Sequence, residues 1–187
     1  MCMNAYTAKD VENFMNRYEQ HITHVIVAHT PFHTCNKTDN QIEKMAAQAK
    51  LDCRYGLNCF YKMLYPAATN KPVRQPLLFK PLTFVTMEGA RTTTDSAQTI
   101  HFNIALGNLP TVLTTADIEA LFRHAWHTKA KQSNNIMATQ YYRQDNARTW
   151  NGYALKEAQQ DAHKAWTVNG IWDVENCWIP HAALNAD

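Results

Sequence analysis

Along the chain the spacing of apolar residues changes several times, and each change marks an element. Val11, Phe14, Met15 and Tyr18 recur at helical spacing behind Asp10, which predicts a short helix within residues 1–20. His24-Val25-Ile26-Val27-Ala28 predicts a strand. From Asp39 to about Tyr65 the positions Ile42, Met45, Ala46, Ala49, Leu57, Phe60 and Leu64 return to the helical period, as one helix or as two interrupted at Gly56, and Pro66 ends the region. Leu82 to Glu88 and Thr99 to Leu106 are β-branched and aromatic, and the polar stretch 91–96 between them predicts a hairpin closed by Pro110 and Thr111. Thr115 caps a helix through Ile118, Leu121, Phe122, Ala125 and Trp126. Ile136 to Tyr142 reads as a strand, and Arg148 to Trp166 as a last helix before a tryptophan-rich tail.

The order β, α, β, β, α, β and then α predicts an α+β fold, an antiparallel sheet with helices packed on one side. No repeat and no Gly/Ser- or Pro-rich linker divides the chain, so residues 1–187 are expected to form a single domain, extended by the N-terminal helix in 1–20 and the tail 167–187. With 45% hydrophobic residues, eight tyrosines, seven phenylalanines and five tryptophans, the chain can fill a core, which excludes a disordered or collagen-like protein. No apolar run reaches the roughly 20 residues of a membrane span, and the start Met1-Cys2-Met3-Asn4 is not that of a secretory signal, so a cytoplasmic protein without a membrane partner is expected. The five irregularly spaced cysteines fit free thiols better than a disulfide framework or a zinc site.

The net charge is only +2, but it is unevenly spread. Residues 50–91 and 123–156 are both strongly basic, whereas 92–122 between them holds only Asp95, Asp117 and Glu119. Two basic stretches can converge on one polyanion-binding face, with Arg54, Lys62, Arg143 and Arg148 as phosphate contacts, or can be solvated helix faces pointing in unrelated directions.

Strand alternation puts Ile100, Phe102 and Ile104 on one face of the second hairpin strand, with His101, Asn103 and Ala105 on the other. Across the hairpin, Glu88 ends its own strand. An imidazole, an amide oxygen and a carboxylate suit Mg²⁺ or Mn²⁺, although a His beside an Asn also makes an ordinary polar sheet face. In Trp150-Asn151-Gly152-Tyr153-Ala154-Leu155-Lys156, Tyr153 and Lys156 lie three apart on one helical face. A nearby cation would favour the nucleophilic phenolate, or Lys156 could neutralise a phosphate oxygen; packing and a solvated lysine are the plainer alternative. Tyr141 and Tyr142 are competing nucleophiles without a lysine one turn away. His29, His33, His124 and His127 read as surface or core-edge residues, and Trp172, Trp178 and Ile179 as packing for the last helix.

Taken together, Glu88, His101-Phe102-Asn103, Asn108-Leu109-Pro110, Trp126 and Gly152-Tyr153-Ala154-Leu155-Lys156-Glu157 resemble the HUH superfamily of single-strand endonucleases, in particular the rolling-circle replication initiators of phages and plasmids. The resemblance covers about residues 82–157. It implies a ferredoxin-like sheet, a Mg²⁺ or Mn²⁺ ion held by Glu88, His101 and Asn103, and attack by Tyr153, helped by Lys156, on a phosphate of single-stranded DNA or an origin hairpin. The implied products are a 5′-phosphotyrosine and a free 3′-hydroxyl, for replication initiation or mobilisation. Without a P-loop, strand separation would need a host helicase. Asn103 stands where the family's second histidine usually lies, which leaves open an active variant or a catalytically degenerate DNA-binding protein that regulates replication.

Overall fold

A computed structural model describes residues 7–141, 150–155 and 172–180. Helix α1 (Ala8–Asn16) is capped by Thr7, whose hydroxyl accepts from the Asp10 amide while the Asp10 carboxylate takes the Thr7 N–H. Asp10 is thus inside the first turn, three residues after the cap. The same reciprocal box, Thr38 with Gln41, starts α2 (Asp39–Met63). Another, Thr114 with Asp117, starts α5 (Thr115–Arg123), so the cap lies one residue before Thr115. Between α2 and the hairpin are two short helices, α3 (Lys71–Arg74) and α4 (Pro76–Phe79). The α5 axis continues as a π-helical turn, His124–Lys129.

Strands β1 (Ile22–His33), β2 (Leu82–Glu88), β3 (Thr99–Gly107) and β4 (Ile136–Gln140) form one antiparallel sheet in the order β2-β3-β1-β4. Strand β1 runs well past Ala28 and through Pro31. Its pairing with β4 ends at Ala28, and its register with β3 shifts between His29 and His33, so no ladder bond is demanded of the proline nitrogen.

Alternation along β2 and β3 sends Val85 and Met87 with Ile100, Phe102 and Ile104 to one face, where they pack under Ala46, Ala49, Cys53, Leu57 and Phe60 of α2 and Ile118 and Phe122 of α5. The opposite face is not left bare. Leu82, Phe84 and Ala105 bury themselves against Val11 and Met15 of α1 and Leu155, just after helix α6 (Trp150–Ala154). Helices therefore cover both faces, where one-sided packing was expected, because Phe84 and Ala105 alternate out of the main core and still require apolar cover.

Of the two readings of the Asp39–Tyr65 region, the single helix is the one observed. Gly56 does not interrupt α2, which is continuous over 25 residues; the glycine instead makes room for Trp126, whose Cε3 would stand 3.0 Å from an added Cβ. In the tail, Trp172 and Ile179 pack in one apolar cluster with Trp150 and Leu155, while Trp178 pairs with β2. Residues 172–178 run along the outer edge of β2, with Thr83 and Trp178 exchanging backbone bonds of 2.8 and 2.7 Å and the Asp173 N–H donating to the Val85 carbonyl at 3.0 Å. Cys177 lies beneath this segment, where its sulfur accepts from Trp172 Nε1 at 3.0 Å and burial pushes its thiol pKa up to about 12. Of the expected last helix, residues 150–155 are among the described ones, and Trp150–Ala154 are helical. No helix among them is long and apolar enough to cross a membrane.

The Gly56–Trp126 contact yields a stability expectation. Gly56→Val should destabilise the protein by about 1–3 kcal/mol in urea denaturation, because the added methyls meet a fully buried indole that cannot move aside. An unchanged midpoint would mean that α2 and the π-helical turn are not held at this spacing.

Candidate functional site

Three strands bring three polar side chains into one row. Glu88 on β2 faces His101 on β3, and His101 faces His29 on β1. Cross-strand partners point the same way, so the row lies on the sheet face shared with Phe84 and Ala105, opposite α2 and α5. Glu88 is fully buried and His101 about one-fifth exposed. The Glu88 Oε2 to His101 Nε2 distance is 3.1 Å.

The tautomer of His101 follows from its other nitrogen. Nδ1 lies 3.1 Å from the backbone oxygen of Thr99, which can only accept, so Nδ1 carries a proton and donates it. In the neutral ring Nε2 then presents a lone pair to a carboxylate oxygen. Two acceptors at that distance require a cation between them, either a proton on one partner or a metal ion. Gly89 helps fix this arrangement: it holds φ +78°, and a Cβ there would stand 2.2 Å from the same Thr99 oxygen.

The neighbouring row repeats the design with weaker groups. Thr86 on β2 faces Asn103 on β3, and both are buried. Neither the Thr86 hydroxyl nor Asn103 Nδ2 has a hydrogen-bond partner, an uncompensated cost in an apolar setting.

Glu88, His101 and Asn103 are a carboxylate, an imidazole and an amide, donor types that a hard divalent ion accepts. Ligands at adjacent octahedral positions about 2.1 Å from Mg²⁺ are separated by roughly 3 Å, the spacing seen between Glu88 and His101. A ligating imidazole characteristically donates its second N–H to a carbonyl, as His101 does to Thr99. The Asn103 amide, whose Nδ2 has no partner, can turn over to exchange its nitrogen and oxygen. Among the described residues no three His, Cys, Asp or Glu side chains form a metal-holding group, so the third protein donor in this reading is the amide.

His29 was not among the expected site residues. Its ring stacks on His101 with centroids 5.0 Å apart and planes at 21°, and its Nδ1 lies 3.0 Å from the Thr99 hydroxyl. Burial, and next the charge of His101, lower its pKa. The sequence signal for it was strand alternation continued from Val25 and Val27 to His29, but its partner across the sheet is 72 positions away and has no local signature.

Tyr153 is on α6, which covers the same sheet face through Leu155, and is about half exposed. Lys156, Tyr142, Arg143 and Arg148 lie outside the described residues. Tyr141 follows β4, and its hydroxyl donates to Glu19. Arg54 and Lys62 belong to α2, on the far face of the sheet from Glu88 and His101, and Arg54 is ion-paired with Glu175 and bonded to Asn176 in the tail. The structure thus does not bring these two cations to the Glu88–His101 face, because α2 serves the opposite core. Among the other histidines, His24 is held between Thr23 and Thr115 with its pKa lowered by burial, and His127 donates to the Gln132 carbonyl.

Compared with protein-family models, curated proteins and solved structures, the chain matches none of them.

The orphaned hydroxyl supplies a direct check. Thr86→Val replaces it with a methyl of nearly the same shape and should raise metal-free stability by about 1–2 kcal/mol in urea unfolding. A loss of stability would show that the hydroxyl is partnered in solution.

Proposed function

We propose that this protein is a metal-dependent nuclease that nicks and transfers single-stranded DNA through Tyr153, as the HUH-like motif suggests. The observation that carries the reading is His101 Nε2 held 3.1 Å from the buried Glu88 carboxyl, on the sheet face that the tyrosine-bearing helix covers. The topology supports it too. Parallel β1 and β2 with antiparallel β3 between them, and β4 on the far side of β1, is the split βαβ pattern of ferredoxin-like sheets.

A bound Mg²⁺ or Mn²⁺ would polarise a phosphoryl oxygen and neutralise charge developing there. The protein's own part is to hold ligands and nucleophile in place. Glu88, His101 and Asn103 supply one carboxylate, one imidazole and one amide oxygen, with the Thr99 carbonyl fixing the imidazole. Tyr153 Oη attacks phosphorus as the bond to the 3′ oxygen breaks, and that oxygen leaves with a proton as a free 3′-hydroxyl. The 5′-phosphotyrosine conserves the phosphodiester energy, so the same site can rejoin strands. Lys156 follows Tyr153 at helical spacing and would balance charge in the transition state. Replication initiation or mobilisation of a phage or plasmid is the matching role, with a host helicase separating strands.

Incubation with labelled single-stranded DNA and Mn²⁺, followed by a denaturing gel, tests the proposal. The native protein should form a covalent adduct. Tyr153→Phe should abolish it with DNA affinity kept within a few-fold, Lys156→Ala should slow it by about 10- to 1000-fold, and His101→Ala should remove metal-dependent cleavage. Asn103→His should tighten Mn²⁺ binding measured by calorimetry. If the native protein binds DNA but neither binds Mn²⁺ at millimolar concentration nor forms an adduct, it is a DNA-binding protein that has lost the chemistry.

A further inference from the structure

At the end of the sheet, next to the Glu88–His101–His29 row, a polar cleft of about 460 Å³ opens between the end of β1, the start of β3 and the segment leading into β4. His29 forms part of its wall and is also the ring stacked on His101, so cleft and candidate metal site share one imidazole. The other chemistry-bearing lining residues include His33, Thr99, Lys131 and Ser133, and none of the lining residues is Asp or Glu.

Lys131 is set there by a built loop. Its φ is +58°, a left-handed conformation that a lysine adopts only when its surroundings impose it. Both neighbours are pinned: the Ala130 N–H donates to the Ala125 carbonyl at 3.0 Å and the Gln132 N–H to the Trp126 carbonyl at 3.1 Å. The buried Gln132 amide further donates to Ala130 O and Asp52 Oδ2, both at 3.0 Å, and His127 holds the Gln132 carbonyl at 2.8 Å. The π-helical turn thus ends in a fixed loop that carries one ammonium to the rim of an acid-free cleft.

We infer that this cleft is a phosphate subsite for single-stranded DNA, taking a nucleotide next to the scissile one, with Lys131 as its cationic contact. A volume in the range of small-ligand pockets accommodates one nucleotide. The Ser133 hydroxyl and the His33 imidazole are donors suited to phosphate oxygens. The inference rests on the DNA-nicking reading for its substrate class, but its test needs no chemistry.

The test is binding of a short fluorescent oligothymidylate, followed by anisotropy in EDTA across a salt series, with Tyr153→Phe protein as the parent. Lys131→Glu should weaken binding at least tenfold and reduce the slope of log affinity against log salt by about 1. Lys131→Gly, which suits the left-handed backbone and so should fold, should weaken it several-fold with the same loss of slope. Lys131→Arg should retain it, and the charge-matched control Lys71→Glu on α3 should stay within two-fold. If Lys131→Glu and Lys131→Gly bind like the parent with the parent's salt slope, the subsite is overturned, even where the native protein nicks DNA. If both variants lose affinity while the native protein forms no adduct, the subsite stands and the nuclease reading falls.

Discussion

Burying the Glu88 carboxyl constrains everything around it. A carboxylate taken out of water costs several kcal/mol unless opposite charge and hydrogen bonds compensate, and Glu88 is enclosed at the end of a strand whose every residue is buried. His101 is the compensating group, and its usefulness depends on the Thr99 carbonyl that takes its other proton. Thr99 in turn is packed against Gly89 and bonded through its hydroxyl to His29. One buried carboxyl group therefore organises the hairpin turn, the orientation of one imidazole and the position of a second.

The sheet supplies the precision this needs. β3 is paired along both edges and covered on both faces, so side chains on it have little freedom to adapt. The odd and even positions of β3 have been given different tasks: Ile100, Phe102 and Ile104 anchor α2 and α5, while His101 and Asn103 serve the other side. Apolar packing at one end of that other side, around Phe84 and Leu155, fixes the end that carries the polar rows. Stability is spent where Asn103 and Thr86 keep polar atoms without partners, the kind of local loss expected at a functional site.

Much of this was legible because it is local. The β-branched runs of β2 and β3, the alternation of Ile100, Phe102 and Ile104 against His101 and Asn103, and the nearness of Glu88 to His101 across a hairpin all follow from short-range spacing. Cap positions slipped by a residue or more, since the capping threonine precedes the helix it starts. What alternation could not say is which faces would be covered. Phe84 and Ala105 look like ordinary strand residues until α1 is seen against them. His29 owes its place in the row to a non-local pairing, and the space beside Gly56 is filled by Trp126, which arrives from a distant helix. Residues 172–178 have no periodicity to read, since they touch β2 at isolated points. Charge bookkeeping was least informative: Arg54 and Lys62 share a basic stretch, yet α2 turns them to the other side of the sheet.

The late arrival of that tail has a consequence for biosynthesis. The outer edge of β2 presents backbone groups that residues 172–178 satisfy, but in a chain made from the N-terminus, β3, α5 and β4 all emerge before them. During that interval the sheet can be formed and still carry an open edge at β2, a template for pairing with another nascent copy. A product ending before Trp172 would leave that edge open together with the apolar groups that Trp172, Cys177 and Ile179 cover.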